Sequence, residues 1–435
     1  MFSCFSTGQL EGRIREEDRR ISLDTSTQEE AYWTLHHCSG PVKLHYRTNF
    51  DCKSTYRRLQ RDLADGPLVS GDSFYIRVNL NISGQSDCCS LSVRCDEVVH
   101  VLDTRHQGRS EWLCAHVDPY SGGDLADRGT IPSNARAQQL LLVKIQKLVS
   151  RGGKDENEIN RNKNYSQPEE AVLSPDAKAG QRVSRASIFL TQILQFVSRG
   201  DVKYKRMNSN ERVRIINAGG PRPEGEYRGG DTHGADPDGE LSRSLNLIPY
   251  SPVTLQRTQR RRPVLFTPIA IAKTIIQKIL NNTGAAMDFD VCKPEFHLKQ
   301  NVEPFIHFKE KHTTFECIAR GNIEAVASKG KHCLLEAELT CVKDLLRRAI
   351  YPIIIYVKIC EKNVKKLRKL PLRVESEEEF VKSCRAKLKE LEGIPCLYAQ
   401  VEPEAWAGTD DLIRVVKDRI LEEQKKTVWV EQDLL

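Results

Sequence analysis

The second half of the chain alternates short apolar runs with stretches of helical periodicity, and this alternation strongly constrains the fold. From Arg261 onward, the strand-like runs are PVLF, CLLEAEL, YPIIIYVKI and PCLYAQV, and the helical stretches include AKTIIQKILNN and DLIRVVKDRILEEQ. Runs such as PIIIYV are apolar on both faces, which is typical of strands buried on both sides of a parallel sheet. The sequence therefore predicts an α/β domain with a mostly parallel sheet over residues 261–435.

A series of short strand-like segments in the first half indicates a small β-barrel. Between residues 72 and 134 the chain reads SFYIRVNL, LSVRC, EVVHVLD, EWLCAHVD and GTIPS, with turn residues between them. Short alternating strands at this spacing are typical of an all-β barrel. We therefore expect a second domain, a barrel, in this region.

The remaining segments are predicted to be linkers or parts of other domains. Residues 1–24 are polar and charged, which predicts a disordered tail. Residues 25–50 hold two overlapping capping boxes in STQEE, a helix through EEAYWTLHH and a strand VKLHYRT, too few elements for a core of their own. Residues 51–71 are expected to be a linker. Residues 135–246 begin with the helix ARAQQLLLVKIQKLVSR and end in the stretch GGPRPEGEYRGGDTHGADPDGE, whose composition predicts a flexible linker.

Composition and charge argue against several classes of function. The net charge of +7 over 435 residues suits an anionic partner or a membrane surface, although a solvated basic surface is the commoner case. We expect no nucleic-acid partner. The chain has no run of 18 apolar residues, so no membrane-spanning helix is predicted. The 14 cysteines include no C-x-x-C pair, which argues against zinc, and no cofactor is expected.

The segment FTPIAIAKT has the frame of a phosphate-binding loop without its glycines. It follows the run RRRPVLF, and Lys273 and Thr274 stand where such a loop has its Lys and Ser/Thr. Glycine lets the loop backbone adopt positive φ and approach the phosphates. The glycine positions hold Thr267, Ala270 and Ala272, for which a left-handed conformation costs roughly 1–2 kcal/mol each. We therefore predict a degenerate loop that binds no nucleotide.

Longer strings in the sequence carry a family resemblance. PYSPVTLQ before RRRPVLF, SKGKHCLLEAEL and the closing KKTVWV resemble segments of the membrane-associated guanylate kinase (MAGUK) scaffolds. YWTLHHCSGPVKLHYRTN, AQQLLLVKIQKL, YKRMNSNERVRI and ICEKNVKKLRKLP resemble the caspase-recruitment-domain MAGUK (CARMA) scaffolds, and among these most of all the lymphocyte member. The resemblance covers nearly the whole chain from about residue 27.

The resemblance implies a multidomain fold that consists of an SH3-like β-barrel and an α/β guanylate-kinase-like domain of the P-loop type. Residues 25–50 would be the C-terminal end of a PDZ domain. Residues 72–134 would form the SH3 domain, completed by a strand at 249–255. Residues 135–246 would be the hook and flexible linker, and residues 261–435 the guanylate-kinase-like domain.

Measured against the family, the binding motifs are degraded. The kinase-like module lacks the glycines described above and the arginine pair that binds GMP, so the resemblance implies a pseudokinase rather than an enzyme. Glu336 and Glu338 stand where the family has acidic residues, so a metal contact is one alternative to two surface carboxylates. The SH3 module keeps Trp112 and Pro132, as ligand surface or as packing residues, but has VNLNIS instead of the aromatic run and Asn134 instead of a tyrosine.

The function implied by the resemblance is a non-enzymatic signalling scaffold in the NF-κB pathway, downstream of antigen or other receptors. Expected partners are further copies of the chain, full-length caspase-recruitment-domain MAGUK scaffolds, signalling kinases and membrane-proximal adaptors. The expected location is the cytoplasm, with recruitment to the inner face of the plasma membrane. The strand at Tyr250–Thr254 pairs either within its own chain or by exchange between chains, which makes oligomers without a new interface.

Several alternatives stay open at this level. The kinase-like module is either a pure scaffold, a residual guanylate kinase or nucleotide sensor, or a reader of phosphopeptides. The helix ARAQQLLLVKIQKLVSR either packs on the barrel or binds a membrane surface or calmodulin. The basic motifs RRIS and RVSRAS make Ser22, Ser184 and Ser187 candidate phosphorylation sites, where added phosphate would act through its local charge.

Overall fold

A computed structural model describes the chain in separate stretches that form two compact units. The described residues are 13–16, 19–22, 26–38, 43–45, 72–145 without 88, 204–207, 211–214, 247–256, 261–281, 288–298, 306–311, 314–367 and 376–431 without 395. The first unit comprises residues 1–117 and 124–252, and the second comprises residues 118–123 and 253–435. The predicted linker 51–71 and most of the predicted flexible linker lie outside the described residues.

Three short strands near the N-terminus form an antiparallel sheet. They are β1 (Arg13–Glu16), β2 (Arg19–Ser22) and β3 (Lys43–His45), in the order β2-β1-β3. The disordered tail predicted over residues 1–24 stays a prediction, and the described residues within it are the strands β1 and β2. In the register of these strands, Ile14 is opposite both Ile21 and Leu44.

The helix α1 (Gln28–His36) begins with the capping box that the sequence predicts. Thr27 is the N-cap, its hydroxyl accepts a hydrogen bond from the N–H of Glu30, and the Glu30 carboxylate accepts one from the N–H of Thr27. Two of the four N–H groups that a helix start leaves unsatisfied are thus bonded within the segment.

Antiparallel strands in chain order form the barrel of the first unit. They are β4 (Phe74–Val78), β5 (Val98–Asp103), β6 (Glu111–Val117) and β7 (Asp124–Pro132). The predicted strand LSVRC contributes only an isolated bridge between Val93 and Ile82. The barrel interior holds the apolar residues of alternate strand positions, among them Ile76, Val78, Val99, Val101 and Ile131.

The helix after β7, α2 (residues 134–145), packs against the barrel. Leu141, Leu142 and Ile145 are buried in the same core as the strands, whereas Val143 is 44% exposed. The apolar face that a membrane or calmodulin would require is therefore occupied by the barrel. A hairpin of β8 (Tyr204–Met207) and β9 (Glu211–Arg214) adds the buried residue Val213 to this core.

The second unit is built on a parallel five-stranded sheet, as the sequence predicts. The strands are β11 (Val264–Thr267), β12 (Phe289–Val291), β16 (His332–Leu335), β17 (Ile353–Val357) and β18 (Ala399–Val401), in the order β12-β16-β11-β17-β18. All five residues of β17 are buried, because separate apolar clusters lie on the two faces of the sheet.

Helices and a small antiparallel sheet complete the second unit. The helices are α3 (Ile269–Asn281), α4 (Arg320–Ala327), α5 (Cys341–Arg347), α6 (Glu377–Glu392) and α7 (Thr409–Lys425). The antiparallel sheet has the order β13-β15-β14, with β13 (Glu295–Leu298), β14 (His307–Lys311) and β15 (Thr314–Ile318). The fold class predicted from the sequence, a barrel joined to an α/β domain, is confirmed.

The strand β10 (Tyr250–Gln256) belongs to both units. Its first residues pair with β4 in the first unit, and its last residues pair antiparallel with β19 (Val428–Glu431) in the second. The turn at 118–123 also belongs to the second unit, where the Pro119 carbonyl accepts a 2.8 Å hydrogen bond from the N–H of Thr427. Within the described stretches, no helix is both long and apolar enough to cross a bilayer.

Candidate functional site

Trp112 lies on β6 of the barrel and is almost completely covered. Its side chain is 6% exposed, with the Phe74 ring edge-on at 5.8 Å and the Tyr250 ring at 5.2 Å between centroids. The Tyr250 hydroxyl donates a 2.8 Å hydrogen bond to the carbonyl of Pro132. Both residues that the sequence singled out in the barrel therefore contact Tyr250, which the chain supplies from the distant strand β10.

The N-terminus of α1 lies on the Trp112 side of the barrel. The N–H of Gln28 donates to Asp72 Oδ1 at 2.7 Å, and the N–H of Glu29 donates to Thr104 Oγ1 at 3.0 Å. The indole N–H of Trp112 donates to Glu29 Oε2 at 2.5 Å. Side chains of the barrel thus accept hydrogen bonds from two N–H groups at the helix start. The Glu29 carboxylate of the helix in turn accepts the hydrogen bond of the Trp112 indole.

Burial sets the electrostatics of this contact. Burial raises the pKa of the Glu29 carboxyl, and the hydrogen bond from Trp112 opposes that rise. Burial also raises the pKa of Asp72, against the hydrogen bonds that its carboxylate accepts from Gln28 and Thr104. The Arg105 guanidinium lies 3.4 Å from the centre of the Tyr32 ring, close enough for a cation–π contact.

Little in the amino-acid sequence indicates this arrangement. The capping box marks the start of α1, but nothing in the sequence pairs Glu29 with Trp112, which lies 83 residues later. Asp72 and Thr104 are polar residues in and next to turns, where such residues are common. A polyproline ligand requires an exposed aromatic furrow, and in this structure α1 binds the tryptophan instead.

The segment that resembles a phosphate-binding loop is mostly helical. Strand β11 ends at Thr267 and α3 begins at Ile269, so Pro268 alone separates them. A working loop of this class places several residues between its strand and its helix, and their N–H groups surround the phosphates. The expected degenerate loop is thus replaced by a helix over these residues.

The residues at the lysine, threonine and last glycine positions of the motif differ in their exposure to solvent. Lys273 is exposed on α3, whereas Ala272 and Thr274 are buried. From Lys273 onward the main-chain N–H groups lie within the helix, where they bond to carbonyls four residues earlier. The backbone strain expected for alanine in a left-handed loop does not arise, since these residues are helical.

The other sequence candidates are distributed over the molecule. Glu336 is exposed, and Glu338 forms a 2.9 Å ion pair with Lys387 on α6. Across the described stretches, no group of three or more potential metal ligands comes together. Ser22 is the last residue of β2, while Ser184 and Ser187 lie outside the described residues.

Comparison with known proteins finds relatives along nearly the whole chain. No protein-family model matches. The human caspase recruitment domain-containing protein 14 is 32% identical over 419 residues, which cover 94% of this chain and 37% of that protein. The mouse protein of the same name is 31% identical over 420 residues, which cover 95% of this chain and 37% of that protein. The chain therefore spans a little over a third of the length of these curated relatives.

Two solved structures have partial similarity to the chain. The SH3-kinase fragment of tight junction protein 3 is 18% identical with a TM-score of 0.32, and the match covers 83% of this chain and all of that one. A guanylate kinase from Anaplasma phagocytophilum is 14% identical with a TM-score of 0.21, and the match covers 40% of this chain and 93% of that one.

Proposed function

We propose that this chain, which is related over 94% of its length to a caspase-recruitment-domain MAGUK scaffold, is a non-enzymatic signalling scaffold. It corresponds to the C-terminal MAGUK half of that family. The SH3-like barrel and the guanylate-kinase-like unit serve as frameworks whose outer surfaces bind proteins. Fold alone does not establish activity, so the proposal depends on what occupies the ancestral ligand sites.

One observation carries the proposal: α3 begins where a phosphate loop should lie. The helix start at Ile269 leaves Pro268 as the whole connection from β11, and Lys273 lies on the helix as an exposed point charge. A lone lysine cannot replace a ring of main-chain N–H groups around a diphosphate. The guanylate-kinase-like unit is accordingly proposed to be a pseudokinase.

The finer proposal concerns pathway, place and assembly. We propose that the chain acts in NF-κB signalling downstream of antigen or other receptors, in the cytoplasm and at the inner face of the plasma membrane. Its partners in this proposal are further copies of itself, full-length scaffolds of the family, signalling kinases and membrane-proximal adaptors. Self-association is supported by β10, because this strand follows β7 by more than a hundred residues and is therefore suited to exchange between copies.

Nucleotide binding tests the pseudokinase proposal. Calorimetric titration with GMP, and separately with ATP and Mg²⁺, should give no heat of binding at micromolar nucleotide, because no loop surrounds the phosphates. An active guanylate kinase titrated under the same conditions provides the positive control. Micromolar binding by this chain would instead support the rival function, a residual guanylate kinase or nucleotide sensor.

Light scattering across protein concentration tests self-association. We expect the average mass to rise with concentration in the intact chain. A matched variant lacks residues 150–200, which keeps α2 and the β8–β9 hairpin but shortens the connection to β10. This variant should have a different average mass at the same protein concentration, since the shorter connection changes which strands can pair within a chain. A constant monomer mass for both proteins would refute self-association and leave the nucleotide result untouched.

A further inference from the structure

The barrel supplies buried acceptors for the start of a helix. Asp72 is 5% exposed and Thr104 is fully buried. Besides the N–H of Gln28, the Asp72 carboxylate accepts hydrogen bonds from the N–H of Thr104 at 3.1 Å and from its hydroxyl at 3.2 Å. That hydroxyl in turn accepts the N–H of Glu29. The acceptors are therefore held in place by each other and aimed at donors that only a helix start, or a similar turn, presents.

Two further contacts read side chains of the bound helix. The Trp112 indole can only donate, so it selects an acceptor, and Glu29 supplies a carboxylate two residues after the N-cap. Arg105 selects an aromatic ring, and Tyr32 supplies one three residues further along the same helix face. The contacts define a ligand pattern: an N-capped helix start with a carboxylate two residues, and an aromatic ring five residues, after the cap.

The resident helix is held by polar contacts rather than by buried apolar area. No residue of α1 is fully buried, and Tyr32 and Trp33 are 39% and 44% exposed. A hydrogen bond contributes about 0.5–1.5 kcal/mol net, or about 1.5–3 kcal/mol when one partner is charged, once the alternative bonds to water are counted. Attachment of this kind is reversible, so another helix with the same pattern can take the place of α1.

We propose that the Trp112 face of the SH3-like barrel is a binding site for the capped, acidic N-terminus of a partner protein's helix, with α1 as the ligand that occupies it in the resting chain. The site thus replaces recognition of polyproline by recognition of a helix start. A partner helix binds only when it displaces α1. This proposal extends beyond scaffolding through the kinase-like unit and does not depend on the nucleotide result.

The test uses the full chain and a synthetic peptide of residues 25–37, stapled between positions 33 and 37. Both stapled positions are exposed, and the same staple is used in every peptide because it replaces Trp33, whose side chain hydrogen-bonds to Glu29. The staple removes the cost of helix nucleation that would mask binding. Affinity is measured by fluorescence anisotropy. Glu29→Lys in the chain weakens its own α1 while leaving the barrel surface intact. We expect this variant to bind the peptide on the order of tenfold more tightly than the native chain, since a tethered competitor has been removed.

The controls separate recognition from a charge effect. Glu378→Lys makes the same charge change in the exposed first turn of α6 and should leave the affinity at the native value. A peptide that itself carries Glu29→Lys should bind neither chain. If the native and Glu29→Lys chains bind the peptide equally, or if neither binds it, the proposal is wrong.

A double-mutant comparison checks the aromatic contact. In the Glu29→Lys chain, the additional change Arg105→Ser should weaken binding of the native peptide about two- to fivefold. It should not affect a peptide with Tyr32→Ala, because that peptide has no ring for the guanidinium. An equal loss for both peptides would contradict the assigned reading of Tyr32 and point to a general charge effect. If α1 of a second copy of the chain were the ligand instead of a partner protein, a mixture of the Glu29→Lys chain and the native chain would dimerise with rising concentration. That result would replace the proposed partner with a second copy of the chain.

Discussion

At the scale of single residues, His332 shows how a buried polar group is satisfied. It is fully buried at the start of β16, and its Nδ1 lies 2.9 Å from the Arg262 carbonyl, so this nitrogen is the donor. Its Nε2 lies 3.4 Å from Arg261 Nη1, which can only donate, so Nε2 is the acceptor. The acceptor role of Nε2 requires the neutral ring, with its proton on Nδ1. Protonation would remove the acceptor and place a second positive charge beside Arg261.

The stability of the guanylate-kinase-like unit should therefore fall in mild acid. Burial lowers the pKa of His332 and the Arg261 charge lowers it further, while the bond to the Arg262 carbonyl opposes the shift. The unfolded chain takes up a proton near pH 6.5 and the folded chain does so only at lower pH. Stability is thus complete above that pH and is lost as the pH falls toward the lowered value, by at most about 1.4 kcal/mol per pH unit.

Denaturant unfolding between pH 7.5 and 5, followed by hydrogen exchange in β16 and β11, measures this slope. His332→Gln cannot titrate and should flatten it in this unit. His106→Gln, in a half-buried turn of the barrel unit, should leave the slope of the guanylate-kinase-like unit unchanged. Equal slopes for the native chain and His332→Gln would show that another group controls the acid response.

At the scale of secondary-structure elements, the helix α3 occupies the residues where a phosphate loop would lie. Restoring glycine by Ala270→Gly with Ala272→Gly should not restore nucleotide binding, because helix formation rather than missing glycine removed the loop. Each glycine in a helix costs roughly 0.5–1 kcal/mol relative to alanine, so the melting temperature should fall. Calorimetry with GMP and ATP measures the first effect and thermal unfolding the second.

The matched control for α3 is Ala386→Gly, an exposed alanine of α6. It should lower the melting temperature by the amount expected for one glycine in a helix and leave nucleotide binding unchanged. Micromolar binding of GMP or ATP by the double variant alone would mean that the loop is still latent in the sequence and that the glycines were decisive.

The packing of α2 can be tested on a single helix. Leu141 is fully buried and Val143 is 44% exposed, although only two positions separate them. Leu141→Ala should lower the free energy of unfolding of the barrel unit by about 2–5 kcal/mol. Val143→Ala should change it by less than about 0.5 kcal/mol. Chemical denaturation monitored by hydrogen exchange in β4–β7 provides the measurement.

Vesicle sedimentation distinguishes the rival role of α2. If the apolar face packs on the barrel, neither alanine variant changes binding to anionic vesicles. Loss of vesicle binding in Leu141→Ala with an unchanged free energy of unfolding would favour the membrane surface instead.

At the scale of the whole molecule, β10 is the element that the two units share. Thr254 pairs with Val430 of β19, while Tyr250 pairs with Val78 of β4. Thr254→Pro removes a main-chain donor inside the strand. We expect faster hydrogen exchange in both Val428–Glu431 and Phe74–Val78, since one continuous strand carries both pairings.

Thr254→Val is the control, because it keeps the main-chain donor and is well suited to a strand. It should leave exchange in β4 and β19 at the native rate. If Thr254→Pro accelerates exchange in β19 alone, the two halves of β10 open independently of each other.

The sequence by itself determined the order and type of most elements of this protein. The all-apolar run IIIYV predicted a strand buried on both faces, and β17 is such a strand. The periodicity of DLIRVVKDRILEEQ predicted α7, and the STQEE capping boxes predicted the start of α1. These features are local, since neighbouring residues in the sequence decide the spacing of apolar side chains and the satisfaction of a helix end.

Only the tertiary structure decided what covers each site. Tyr250 meets Pro132 across 118 residues, and Glu29 meets Trp112 across 83. Contacts over such distances depend on how the elements pack, and no periodicity records them. The same holds for the phosphate segment, where the sequence indicated missing glycines but the structure has a helix that buries Ala272 in the core beside the sheet. Local propensity is compatible with several conformations and contacts at these positions, and the packing of the folded chain determines which of them form.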